Sequence, residues 1–416
     1  MAPRRALARR TKRLIGYWRS ETRTIRQGLV ALVLSTAAGF VAGLTLAHLT
    51  GTLASLPGLL ILIPAAVGMK GTIFGAIGAR LGTANAAGLL TLDLRPGGVL
   101  RRNVQVAILT TFSSSLWLAV LARAAGAISG QVSISIWDLL TISVIGGALG
   151  SALILAITIA LSAASTRLGW DLDSVSTPMV TALGDMTTLP CLFLASLLVH
   201  NEHIAAVSAA IATVAALVFT VRSYTVRDPF VRRIIIEMTG TILLTPILDV
   251  MAGTLLRANE LRLALVPVLL AVIPPFVSQA GALGGIFSSR ISSKLQLGVI
   301  TPRGRPETPA MVDASIVVGQ SAATFTLIGL AAWVLGHATG LTGMPSLGSL
   351  VGGVLLAGLV VTPVTVIVGY YLAVVTYRFG LDPDNQGVPI ITSVMDLAGV
   401  AVVLLVMTSS GVLPHG

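Results

Sequence analysis

The sequence predicts an all-α polytopic membrane protein, built from two parallel five-helix repeats joined by a linking transmembrane helix. Three observations carry that prediction: an apolar composition, a one-sided distribution of basic residues, and a signature that occurs twice. Of the 416 residues, 55% are hydrophobic and 10% charged, and the mean hydropathy is +0.92. Such a composition lies outside the range of soluble globular chains. Apolar runs long enough to cross a ~30 Å hydrocarbon core recur throughout. The formal charge of +11 does not point to nucleic acid, because the basic residues are scattered between apolar runs without an aromatic-interleaved basic module. Membrane orientation accounts for them.

Taken in order, residues 1–26 form an Arg-rich arm without the apolar core and cleavage site of a secretory signal. They read as a cytoplasmic topology determinant that also touches anionic membrane lipid. The first repeat, 27–200, holds helices near 28–50, 59–80, 103–126, 137–165 and 175–199. Residues 201–230 supply a linking helix near 203–221 and a basic loop. The second repeat, 231–416, holds helices near 232–256, 264–289, 310–335, 349–375 and 386–410. With the N-terminus cytoplasmic, the outer segments carry only Arg123, Arg257 and Arg262, and the other basic loops fall inside. That bias is the positive-inside pattern of a cell-membrane protein. Five crossings leave the chain on the opposite face, so a second repeat of the same orientation needs the extra crossing and ends with an external C-terminus.

The duplication is legible residue by residue. Asp171, Asp173, Pro178 and Asp185 match Asp382, Asp384, Pro389 and Asp396 in spacing. Pro64, Gly71, Gly75, Arg80 and Gly88 fall opposite Pro274, Gly281, Gly285, Arg290 and Gly298, about 210 residues on. That period is too long for a solenoid and indicates two large homologous halves. Parallel repeats are related by an axis along the membrane normal, which sets equivalent helices opposite each other around a central path. A fused pseudo-dimer can act as a monomer, and a homodimer remains open.

Asp185 and Asp396 are the central candidates. Each follows its Pro by seven residues, about 10 Å along a helix, and Pro suits a first helical turn. A carboxylate at that depth costs a few kcal/mol, so it should face a wet cavity or a cation. Thr181 and Thr188 share a stripe with Asp185, as Thr392 does with Asp396. Carboxylates and hydroxyls facing one another suit a hard divalent ion such as Mg²⁺, while a monovalent ion or proton needs less charge. Asp171, Asp173, Asp382 and Asp384 lie at the inner interface, as helix caps or as a vestibule that concentrates cations. Lys70 lies deep in its span, where a basic residue pairs or loses its proton; its counterpart is Ala280, and it reads as a charge that the first half contributes to the permeation path. Asp249 reads as part of an outer mouth. The glycines of both second helices mark either close packing or unwound backbone offered to an ion. The one cysteine, Cys191, and five scattered histidines leave oxygen atoms as the cation ligands.

These motifs resemble the MgtE-type magnesium transport family, and most closely its duplicated solute-carrier relatives. D-P-D-N at Asp382–Asn385, with Pro389 and Asp396, looks like that family's fifth-helix motif, and Asp171, Pro178, Gly184 and Asp185 form a second copy. P-A-A-V-G-M-K-G from Pro64 is similar to its second-helix motif P-A-L-L-G-L-K-G-N. The resemblance implies a Mg²⁺ path between two five-helix units, with Asp185 and Asp396 as the main ion-binding residues and no cofactor beyond the transported ion. Mn²⁺ and Ca²⁺ stay open as substrates. Where the family has Asn after K-G, this chain has Thr72, and Ala282 in the second copy, beside Gly71 and Gly281. No segment here corresponds to the cytoplasmic sensor domains of bacterial MgtE. A Na⁺- or H⁺-coupled carrier could use the same carboxylates. A membrane-embedded enzyme fits less well, because no G-x-S-x-G, H-E-x-x-H or C-x-x-C constellation is present.

Overall fold

The structure, a computed structural model, describes residues 22–48, 56, 58–86, 95–130, 134–168, 172–199, 202–381 and 386–414. All of the regular structure among them is helical, the form in which a spanning segment satisfies its own backbone polar groups. The first half holds α1 (Thr22–His48), α2 (Leu59–Ala86) and α3 (Val99–Ile128). It continues with α4 (Ile136–Thr141), a π-helical turn (Ile142–Gly146), α5 (Gly147–Leu168) and α6 (Leu172–Ser196). The link is α7 (Glu202–Thr225). The second half holds α8 (Pro229–Ala258), the short α9 (Glu260–Leu265), α10 (Val268–Gln296), α11 (Thr308–Ala338), α12 (Leu347–Phe379) and α13 (Val388–Ser409).

Among the described residues, nine helical segments are long and apolar enough to cross a membrane, so the chain is a multi-pass membrane protein. The first and fifth positions of the first half are taken by α1 and α6, of 27 and 25 residues. The α6 helix starts at Leu172, before Pro178, whereas α13 starts at Val388 with Pro389 in its first turn. The first-turn placement expected for both prolines therefore holds in the second half and not in the first.

Local chemistry sets the helix ends. Asp228 caps α8 by accepting from the backbone N–H of Phe230 at 2.9 Å and of Val231 at 3.4 Å, with Pro229 in the first turn. Its other oxygen accepts from Arg102 of α3 at 2.9 Å. Burial pushes the Asp228 carboxyl up, but Arg102 and the two backbone donors outweigh it and hold the group below its ordinary range. Ser346 caps α12, which ends at Gly380 in a left-handed turn (φ 63°).

Close approach decides which helices pair. The first helix of each half packs on the second helix of the other: α1 on α10, and α8 on α2. Gly43 and Gly253, 210 positions apart, are the points of nearest backbone contact. An added Cβ at Gly43 would lie 2.8 Å from the Ala271 carbonyl carbon, and one at Gly253 2.8 Å from Ile61 Cα. Small residues that let backbones touch are what joins helices in lipid, where apolar burial supplies little. Both second helices run unbroken through their glycines, so these are not unwound segments, and several of the glycines serve packing. Gly281 and Gly284, for example, make room for Thr392 and Ile391 of α13. The link helix α7 sets Ala212 and Ala216 against Val144 of the π turn, and Phe219 stacks on Phe112 at 4.5 Å. Its other face exposes Val207, Ile211, Val214 and Val218.

Candidate functional site

The crosswise pairing brings the fifth helices of both halves to the centre of the bundle. Asp185 of α6 is buried and Asp396 of α13 is half-buried. Their carboxylates are close enough to interact electrostatically. A third carboxylate joins them: Asp249 of α8 is fully buried and interacts with Asp396 in the same way. Asp249 fits because α2 has a glycine there, since an added Cβ at Gly68 would lie 2.6 Å from its Oδ2. The buried Ser393 hydroxyl of α13 is set towards Asp249, but the two do not form a well-aligned hydrogen bond, and neither has another partner. Ser278 of α10 stands beside Asp185 as Ser393 stands beside Asp249. Among the described residues, no three His, Cys, Asp or Glu side chains converge closely enough to hold one bare ion. Asp396 instead lies within electrostatic reach of each of the other two.

Hydroxyls of the same stripes keep their protons on their own helices. Thr188 donates to Gly184 O at 2.6 Å, Thr392 to Pro389 O at 2.9 Å and Thr72 to Gly68 O at 3.2 Å. Their lone pairs remain available to a cation or its water. Thr392 lies over Gly281, with its Cγ2 3.1 Å from where a Cβ would stand. Gly71 and Ala282 are half-buried on the two second helices. Asp171, Asp382 and Asp384 lie outside the described residues, as do the side chains of Asp173 and Thr181.

Lys70 is buried within the first half. Its ammonium donates to Gly147 O and Ser151 Oγ just past the π turn, and Thr111 bonds Ser151 at 2.8 Å. Cys191 of α6 is close enough to feel its charge. The second half fills the corresponding space with apolar groups: Ala280 replaces Lys70, and the Phe325 ring packs on Gly358 where Ser115 faces Gly147. Phe325 also stacks on Phe276 at 4.6 Å. The two halves thus exchange a long polar and a small side chain for a small and a large aromatic one.

Sequence reasoning passed over Ser278, Ser393 and Asp313. Asp313 is fully buried in α11 and bonds Arg290 at 3.1 Å and also Lys294, while the equivalent pair in the first half is Arg80 with Asn103 at 3.1 Å. The signal was present in the repeat offset. Positions 39 and 68 hold Gly and Gly, whereas 249 and 278 hold Asp and Ser. Divergence between two copies of one unit marks these positions as readily as their shared motifs mark Asp185 and Asp396.

A family model described as MgtE, divalent cation transporter, matches residues 63–195 and 273–406, one match in each half. No curated protein matches the chain. Among solved structures, that of the eukaryotic MATE transporter AtDTX14 is matched over 94% of this chain and 96% of that one. The identity is 13% and the TM-score 0.35, a likeness that bears no functional weight.

Proposed function

We propose that this chain, which belongs to the MgtE divalent cation transporter family, carries Mg²⁺ between its two halves past Asp185, Asp396 and Asp249. One observation carries the reading: two residues at equivalent places in the repeat, one from each half, set their carboxylates near enough for the charges to interact, one of them buried. Like charges out of water repel, and a cation between them offsets both repulsion and lost hydration.

The small number of carboxylates favours Mg²⁺ over a larger ion. Mg²⁺ gives up its waters reluctantly and is held by one or two carboxylates plus water, whereas Ca²⁺ takes six to eight direct oxygens. So few carboxylates suit a hydrated ion, bridged through water to the Thr188 and Thr392 hydroxyls. Under this reading the two halves of one chain form the path, so a monomer is sufficient. The N-terminus is cytoplasmic, the C-terminus external, and the membrane is that of the cell. Asp249 has no counterpart in the first half, so the ion sits nearer α8 and α13 than the axis.

Flux of Mg²⁺, Mn²⁺ and Ca²⁺ into proteoliposomes tests this, each under an imposed voltage, Na⁺ gradient or pH gradient. Mg²⁺ uptake that follows voltage and needs neither Na⁺ nor a pH gradient is expected. Absence of divalent flux, with a solute carried only under a Na⁺ or pH gradient, would replace this reading with a coupled carrier.

A further inference from the structure

Away from the central carboxylates, the short connection between α7 and α8 and the first turns of α8 border an open cleft. Its lining includes Val226, Arg227, Pro229, Arg232, Arg233 and Ile236. Arg233 is held by Glu237 at 2.7 Å, which also borders the cleft. Arg227 and Arg232 are exposed and have no acidic partner among the described residues. Val226, Pro229 and Ile236 add apolar surface to the same lining. Ile236, Leu243 and Ile247 stand exposed along one face of α8, on a helix long and apolar enough to span the membrane.

The order along this face is guanidinium groups at the start of α8, then exposed aliphatic side chains further along the helix. A phospholipid has the same order along the membrane normal. Arginine forks match phosphate oxygens bidentately, and basic pockets between transmembrane helices take lipid head groups. A soluble anion would leave the aliphatic side chains unused. We propose that this cleft binds an anionic phospholipid, its phosphate between Arg227 and Arg232 and an acyl chain along Ile236 and Leu243. The lipid would then brace the junction between the linking helix and the second half. The proposal is independent of which cation the centre carries.

Thermal unfolding of the full chain in detergent, titrated with phosphatidylglycerol, phosphatidylcholine or inorganic phosphate, tests it. Phosphatidylglycerol should raise Tm saturably, while phosphatidylcholine and phosphate leave it near its starting value. Arg227→Gln/Arg232→Gln should weaken the phosphatidylglycerol effect on the order of tenfold. Arg303→Gln/Arg305→Gln, on another basic loop, should change it less than twofold. Equal losses in the two double variants would mean diffuse surface attraction and overturn the site. Stabilisation by phosphate alone would make it an anion site instead, which also overturns the lipid assignment. Native mass spectrometry of the wild type supplies a second measurement should the first variant fold poorly. Retention of phosphatidylglycerol no greater than of phosphatidylcholine would be equally fatal.

Discussion

Gly68→Ala is the sharpest probe of the central site, because it adds one methyl group beside one carboxylate. The new Cβ would lie 2.6 Å from Asp249 Oδ2 and 3.1 Å from its Cγ, whereas ordinary contact begins at 3.4 Å. The carboxylate must therefore retreat by about 0.8 Å, the difference between 3.4 and 2.6 Å. Turning the side chain off its rotamer costs about 0.5–1.5 kcal/mol. Replacing a mid-helix glycine by alanine returns about 0.5–1 kcal/mol. Stability should move little. Ion binding should move more. A divalent ion about 4 Å from that oxygen, at an effective dielectric of about 20, loses roughly 1.4 kcal/mol when the gap widens by about 0.8 Å. That is about tenfold in affinity. The assay is half-saturation of Mg²⁺ flux in proteoliposomes, together with Mg²⁺-dependent Tm of the purified protein. Gly75→Ala is the control, since nothing lies within 4 Å of its added Cβ. A folded Gly68→Ala protein with the wild-type Mg²⁺ dependence would remove Asp249 from the ion's surroundings.

The two fifth-helix carboxylates should act as one unit: Asp185→Asn and Asp396→Asn each impair Mg²⁺ flux strongly, and the double variant is far less than additive. Full additivity would separate them into independent sites. Lys70→Met keeps the length of the side chain but leaves Gly147 O and Ser151 Oγ without their donor. A stability loss of about 1–3 kcal/mol with unchanged ion selectivity is expected, and altered selectivity at constant Tm would put the charge in the path instead. Asp228→Asn keeps the cap oxygen and removes the charge that Arg102 pairs with. Because the Asp228 carboxyl is held below its ordinary range, its contribution is present above the unfolded-state value and is lost as pH falls through the folded one. The Tm gap to wild type, worth less than about 1 kcal/mol for a pair this exposed, should therefore close on acidification, and a gap that widens would refute the ion pair.

The spans, the duplication and the pair Asp185–Asp396 were legible in the sequence because each depends on order along the chain. Hydropathy marks a span within some twenty residues, and a repeated motif needs only its own spacing. Even the break at Lys70 and Ala280 could be read by laying one half on the other. Which helices meet could not. In lipid, an apolar helix face is satisfied by acyl chains as well as by another helix, so hydropathy is silent on partners. The partners follow from close backbone contact at residues far apart in the chain, Gly43 on Ala271 and Gly253 on Ile61. That crossing carries Asp249 against Gly68 and into the field of Asp396, although its place in the sequence suggested an outer mouth. It likewise made Gly68, Gly281 and Gly284 packing positions within unbroken helices rather than unwound segments. Lys70 found its partners, Gly147 O and Ser151 Oγ, within its own half, because the π turn and the small side chain of Ser115 leave space there that Phe325 fills in the other half. Sequence order determined which groups were buried, and tertiary contact between distant small residues decided which of them face one another.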